Sequence, residues 1–231
     1  MSTLLLRLAA PLQSWGSSSK FSRRSTEREP TKSGVIGMIA AALGRRRAES
    51  IDDLVSLKFG VRVDQSPKLL KDFHTAHTDD GKTAFISDRY YLSDAVFLVG
   101  LEGDDALLAE VDAAVRNPVF PLFLGRRSCP PVGQVSLGIR NRVGLVDALK
   151  NEAWLAAEWY RKSCEQRMSL EIIVDSADGE QSIFTTRDIP VTFSHECRKY
   201  AYRARNRTRY VMEQTCENAQ EHDPFTLLED A

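Results

Sequence analysis

The chain has 231 residues, 42% hydrophobic and 27% charged, with a formal net charge of −1, the profile of a soluble globular protein of one large or two small domains. No apolar run approaches the roughly 20 residues of a membrane span, and the N-terminal MSTLLLRLAAPLQSW is too short, and interrupted by Arg7, for a signal peptide. Cys129, Cys164, Cys197 and Cys216 are too widely spaced for a zinc site or a paired redox motif, so they read as reduced thiols of a cytosolic protein.

The near-zero total charge hides segregation. Eight Lys/Arg and two Glu lie between Lys20 and Arg47, five Arg and no acid between Arg116 and Arg142, and six Lys/Arg and no acid from Arg198 to Arg209. A polyanion needs a local basic surface rather than a basic total, so nucleic acid stays compatible with this chain. The other reading is three solvated faces.

In chain order, Thr3–Leu8 reads as a buried strand. Ala9–Glu29 reads as a long polar loop broken by Pro11 and Gly16. Trp15 within it either packs or stacks on a base. Pro30–Gly44 has the grammar of one buried helix, with Thr31 or Ser33 as cap, an apolar body from Val35 to Leu43, and Gly44 as the stop. Gly34 and Gly37 each weaken it by about 1 kcal/mol relative to Ala. Two readings of them stay open: tight packing on a sheet, or approach of a phosphate to the free N–H groups at the positive end of the helix. Lys20, Arg23, Arg24, Arg28 and Lys32 crowd that end.

A short helix from Ser50 and a strand at Phe59–Val63 follow. Leu69–Leu92 is polar, turns at Asp79-Asp80-Gly81, and reads as a projecting hairpin. Ala95–Glu102 is a strand and Asp104–Arg116 an amphipathic helix ended by Pro118. Val119–Leu124 is expected as a strand, and Gly125–Ser128 as a basic turn. Strand, helix, strand, hairpin, strand, helix, strand is the split order of a ferredoxin-like domain. Beyond it come a helix over Val143–Arg161, a second hairpin of Met168–Val174 with Ser182–Arg187 around Ala177-Asp178-Gly179, a strand at Arg198–Met212, and an acidic tail from Glu213.

Five strings in register carry a family resemblance: LRLAAPLQSWG (Leu6–Gly16), PTKSGVIGMIAAALG (Pro30–Gly44), KDFHT (Lys71–Thr75), DRYYLSDAVFLVGL (Asp88–Leu101) and PLFLGRRSCPP (Pro121–Pro131). Together they resemble the Cas-five family of the RAMP superfamily, in the form found in the type I-E CRISPR surveillance complex, Cascade. The resemblance implies an α+β, modified ferredoxin-like (RRM-like) βαββαβ domain over residues 1–135, with an inserted thumb hairpin at about 69–92. Residues 136–231 are expected to form a smaller, β-rich C-terminal extension with a helix, a hairpin and an acidic tail. It implies a non-catalytic subunit that holds the 5′ handle of the CRISPR RNA, with the backbone subunit and the large subunit as neighbours. Such a subunit is expected to meet target DNA only indirectly, to use no cofactor and to meet no membrane.

Single-stranded RNA is held by neutralised phosphates, stacked bases and contacts to base edges. On the matching motifs, the expected RNA-binding residues are Gln13 for a base edge, Trp15, Arg23, Arg24 and Arg28. Lys32-Ser33-Gly34 are expected at the helix tip, Arg89 and Tyr90 in the hairpin, and Arg126, Arg127 and Ser128 in the basic turn. Arg198–Arg209 suits either RNA backbone or an acidic partner, and the two stay open. An endoribonuclease is the competing reading, with His74, Lys82 and Tyr90 as its acid–base and charge-stabilising groups. No paired carboxylates, nucleophile elbow or P-loop pattern occurs.

Overall fold

The computed structural model describes residues 1–16, 23–164, 167–176, 184–194 and 196–213. Its frame is a seven-stranded antiparallel sheet. In chain order the elements are β1 (Ser2–Ala9), the two-residue strands β2 (Leu12–Gln13) and β3 (Arg23–Arg24), α1 (Lys32–Ala42), α2 (Asp52–Val55), β4 (Lys58–Gln65), β5 (Lys68–His77), β6 (Ala84–Ser93), β7 (Val96–Gly103) and α3 (Asp105–Arg116). Then follow β8 (Ser136–Arg140), α4 (Leu145–Asn151), α5 (Glu158–Lys162), β9 (Arg167–Asp175), β10 (Phe184–Thr192) and β11 (Lys199–Glu213). The large sheet runs β10-β11-β9-β4-β7-β1-β8. Within it β1 and β7 lie side by side, flanked by β4 and β8, the arrangement a ferredoxin-like unit takes.

Alternation along the strands fills two layers. Leu4, Leu6 and Leu8 of β1 join Phe59, Val61, Phe97, Val99 and Leu101 under α1 and α3. Leu5 and Leu98 face the other way, with Ile172, against Leu145 and Leu149 of α4. Glu102, at the end of β7, accepts from the Leu145 N–H (2.7 Å) and from Lys58 (2.7 Å), so it caps α4. Burial pushes the Glu102 carboxyl up, but the Lys58 and Leu145 donors outweigh it and the net shift is below the ordinary 4.5. A carboxylate with a depressed folded-state pKa stabilises at neutral pH, and that stabilisation is lost as pH falls below 4.5. Glu102→Gln should therefore shrink the difference in urea midpoint between pH 7 and about pH 3.5. An unchanged difference would remove this group from the acid response.

Three sequence expectations are corrected. Val119–Leu124 is not a strand; the fourth strand of the unit is β8, beyond residue 135. Pro118 precedes the run and Pro121 interrupts it, and neither has an N–H group for a ladder. The Val119 and Phe120 N–H groups instead donate to Ala42 and Ala41 O (2.9 and 3.3 Å) and satisfy the C-terminal carbonyls of α1.

The helix expected over Val143–Arg161 is two short ones, α4 and α5. The cause is a buried pair on β4. Arg62 grips Asp64 and donates to the carbonyls of Leu149 (2.5 Å), Glu152 (2.7 Å) and Ala153 (2.7 Å). Asp64 in turn accepts from the Leu155 N–H, and its carbonyl from Trp154 Nε1. These bonds take the backbone groups that a continuous helix needs.

The third correction concerns the second hairpin. β9 and β10 are not neighbours, because β11 lies between them and pairs with both. Residues 177–183, including the expected turn, lie outside the described residues, as does the tail after residue 213.

Candidate nucleic-acid interface

A smaller sheet is built around β6, which pairs antiparallel with β5 and β2 and parallel with β3. Its outer part is the long hairpin. Its base brings the arginine-rich segments together. Arg23 lies opposite Asp88 and Arg24 opposite Arg89. The Arg23 guanidinium sits 5.3 Å from the Tyr90 ring centroid on one face, and that of Arg126 4.7 Å from the Tyr91 ring on the other.

The turn carrying Arg126 is fixed by its backbone. Gly125 has φ +84°, and a Cβ there would lie 1.7 Å from Ser14 O, so only glycine fits. Ser14 N–H donates to Leu124 O (3.2 Å), and Cys129 N–H to Arg126 O (2.9 Å). Arg126 Nη2 then reaches Arg24 O (2.8 Å). Burial pushes the Tyr91 phenol up, but Arg126, Ser128 and Arg89 around it more than compensate and hold it below its ordinary value. Arg89 Nε and Arg126 Nη1 are buried and have no hydrogen-bond acceptor. Unpaired buried donors of this kind are costly, while the rest of the Arg126 guanidinium is held by Arg24 O and the Tyr91 ring.

Arg89, Arg126 and Ser128 thus converge on Tyr91, a residue the sequence reading did not select. The signal was available, because residues 89 and 91 of a strand share a face while Tyr90 takes the opposite one. Arg23, Arg24 and Arg127 are exposed around this cluster, and Arg28 is exposed beyond Glu27.

The tip of α1 is different, and the expectation of free N–H groups there is overturned. The Lys32 N–H donates to Asp188 (3.0 Å), and the Gly34 N–H to the Thr31 side chain (3.2 Å). A carboxylate from β10 occupies the anion position that the helix end creates. The Lys32 ammonium is buried against Leu57 O (2.7 Å) and Asp175 (3.3 Å). Ser33 is buried with its hydroxyl 3.5 Å from that of Thr31.

Gln13 is also turned inward. It is 0% exposed, donates to Leu8 O and Ala95 O, and accepts from Trp15 Nε1, so its amide has no group left for a base edge. Trp15 is 1% exposed and packs on Gly34, where a Cβ would stand 2.7 Å from its ring. Gly34 is therefore the packing glycine of the two alternatives.

The basic stretch of β11 divides. Arg203 is buried between Asp188 (2.7 Å) and Asp175 (2.6 Å) and locks β10, β11 and β9 together beside the α1 tip. Arg205 pairs with Glu29, and Arg207 with Glu29 and Glu171. Arg198, Lys199 and Arg209 are exposed.

A groove of about 1020 Å³ runs along α1 from the basic turn, bordered by Ser33, Gly34 and Gly37 on the helix and by Arg127 and Arg198. Among the described residues no group of three or more His, Cys, Asp or Glu is placed to hold a metal, and no helix is long and apolar enough to cross a membrane.

Comparison with known proteins bears on this geometry. The family model described as CRISPR-associated protein (Cas_Cas5) matches residues 3–206. The chain is 32% identical over 211 residues to "CRISPR system Cascade subunit CasD" of Escherichia coli (strain K12), covering 82% of this chain and 89% of that one. A chain of a solved "CRISPR RNA-guided surveillance complex" is 31% identical with a TM-score of 0.74, over 98% of this chain and 99% of its own. A "Crystal structure of Cas protein" is 38% identical with a TM-score of 0.69, covering 92% and 95%.

Proposed function

The chain belongs to the Cas5 family of CRISPR-associated proteins, and from that premise we propose that it is a non-catalytic, RNA-binding subunit of a type I-E Cascade complex. It holds the 5′ handle of the CRISPR RNA and caps the filament of backbone subunits in the cytoplasm. The large subunit is its other neighbour, and target DNA is met only through the complex. The RAMP-type hairpin β5–β6 serves as its thumb. The observation that carries this reading is the convergence of Arg89 and Arg126 on Tyr91 beside the exposed Arg24 and Arg127. Arg24, Arg127 and Ser128 lie around that point, and on the opposite face of the strand the Tyr90 ring with Arg23 over it offers a second stacking surface.

The endoribonuclease reading needs His74, Lys82 and Tyr90 at one point. The strand register opposes His74 to Ser87 and Tyr90 to Lys71, which puts His74 and Tyr90 on opposite faces of the hairpin. Lys82 lies beyond both strands, and His74 contacts Asp72 of its own strand.

Handle RNA binding to the assembled complex should weaken as salt rises, by about 0.7 in the log–log slope per phosphate neutralised. Arg89→Ala and Arg126→Ala should each lower that slope and the affinity, and the RNA should stay intact without metal throughout. Unchanged slopes in both variants would refute the RNA grip, and cleavage by the purified chain would refute the non-catalytic role.

A further inference from the structure

We propose that the acidic segment after β11 is an internal stand-in for RNA phosphate, which covers the arginine cluster at the hairpin base until the handle displaces it. The proposal rests on the reading of that cluster as an RNA grip. Its first support is charge. Residues 214–231, outside the described part of the chain, carry Glu217, Glu221, Asp223, Glu229 and Asp230 and no Lys or Arg. The arginine-rich parts of the fold differ in how they are compensated. On β11, Arg203, Arg205 and Arg207 each pair with a carboxylate. At the hairpin base, Arg23, Arg24, Arg89, Arg126 and Arg127 form no ion pair among the described residues. The hairpin carboxylates beside them are taken, Asp88 by Lys71 (3.0 Å) and Asp72 by His74. Cations gathered without acids repel one another and attract a polyanion within reach.

The second support is reach. β11 ends at Glu213, opposite Arg167 at the start of β9. β9 pairs with β4, with Glu171 opposite Val63, and β4 leads directly into β5 of the hairpin. That register carried on puts Arg167 level with Pro67, at the hairpin foot. Two strand spacings then leave the end of β11 about 10 Å to the side of the foot. Leu70, just above the foot, lies opposite Tyr91, about 7 Å further along the strand. The path from Glu213 to the cluster is therefore on the order of 20 Å, and the stretch from Glu213 to Glu221 spans about 26 Å when extended. The groove along α1 is out of range for Glu217, Glu221 and Asp223, because Tyr200 on its wall lies near the far end of β11, about 43 Å back along the strand.

A tether of this length holds the carboxylates around the cluster at an effective concentration on the order of millimolar. Sequence-independent contacts to nucleic acid have dissociation constants of about 10⁻⁴–10⁻⁶ M, so a competitor of this kind weakens them. The handle adds stacking and base contacts and displaces the tail. The segment thereby filters weakly held RNA from the grip.

The test compares the purified full chain, a chain ending at Glu213, and a full-length chain carrying E217Q, E221Q, D223N, E229Q and D230N. The probe is an oligouridylate of about 12 nucleotides, within the span of single-strand sites, followed by fluorescence anisotropy. At about 50 mM salt both altered chains should bind it about threefold to tenfold more tightly than the parent. The three affinities should converge as salt rises and screens the tail. The neutralised variant keeps β11 and the chain length, so it decides the matter should the shortened chain misfold. With p-benzoylphenylalanine in place of Phe225, the free chain should crosslink internally to residues 88–91 or 124–128, and excess handle RNA should abolish that crosslink. If Arg126→Ala weakens oligouridylate binding while both tail variants bind like the parent, the tail proposal is overturned and the grip stands. If Arg89→Ala and Arg126→Ala both leave RNA binding unchanged, the grip falls and the proposal with it. Crosslinks only to a second copy, or in the assembled complex only to a neighbouring subunit, would assign the segment to a protein partner and overturn the proposal.

Discussion

Arg62→Met should lower the unfolding free energy by about 3–5 kcal/mol, the range for breaking a buried ion pair from one side. Arg62 and Asp64 are both 0% exposed at the side chain. The guanidinium spans Asp64 Oδ1 and Oδ2 at 2.6 and 2.8 Å and satisfies three backbone carbonyls between residues 149 and 153. Methionine supplies similar volume and no donor, so the buried Asp64 carboxylate loses its counter-charge and the Leu149, Glu152 and Ala153 carbonyls lose their donor. Domains of this size are stable by about 5–15 kcal/mol, so the loss is a large fraction of the total. The readout is the denaturant midpoint at constant m-value. Adding Asp64→Asn should return part of the loss, because the stranded charge is then removed while the amide oxygen still accepts from Leu155. A single-variant loss below about 1 kcal/mol would show that the pair is solvated and the carbonyls find water.

The same pair shows what a sequence hides. The apolar runs that mark β1 and β7, the alternation that marks β4 and the 3.6-residue pattern that marks α3 are local and were legible. So was the hairpin, whose turn residues announce it. Arg62 at a strand position reads as a solvated residue, yet it splits an expected helix about ninety residues further along the chain. The α1 tip is a parallel case. Its residue types suit an anion, but the anion that fills it is Asp188, 156 residues away in the chain. Val119-Phe120 has β-type composition and is spent on capping α1, because prolines on either side deny it a ladder. Arg203 looked like any member of a basic run, and only the insertion of β11 between β9 and β10 puts it between two aspartates. Spacing could pair residue 89 with residue 91. It could not bring Arg126 to Tyr91, since that depends on a turn pinned to Ser14.

That turn carries the second large effect. Gly125→Ala should cost stability and RNA binding together. At φ +84° an L-residue is strained by about 1–3 kcal/mol before any contact is considered. The added Cβ would then stand 1.7 Å from Ser14 O, a backbone atom that cannot rotate away. Either β2 or the turn must move, and the Ser14 N–H to Leu124 O bond is lost in both cases. Because Ser14 Oγ also donates to Tyr90 O (3.1 Å), the displacement reaches the hairpin base. Arg126 then leaves the Tyr91 ring, and the proposed phosphate grip loses one of its two central cations. Handle affinity should fall at least as far as in Arg126→Ala, with a comparable drop in salt slope. Gly81→Ala is the matched control. It also has positive φ, +69°, but nothing lies within 4 Å of its Cβ and it sits at the hairpin turn. It should show a backbone cost of about 1 kcal/mol and an unchanged salt slope. Equal losses of RNA affinity in the two variants would mean that binding follows stability alone, and that the placement of Arg126 by the turn is irrelevant to it.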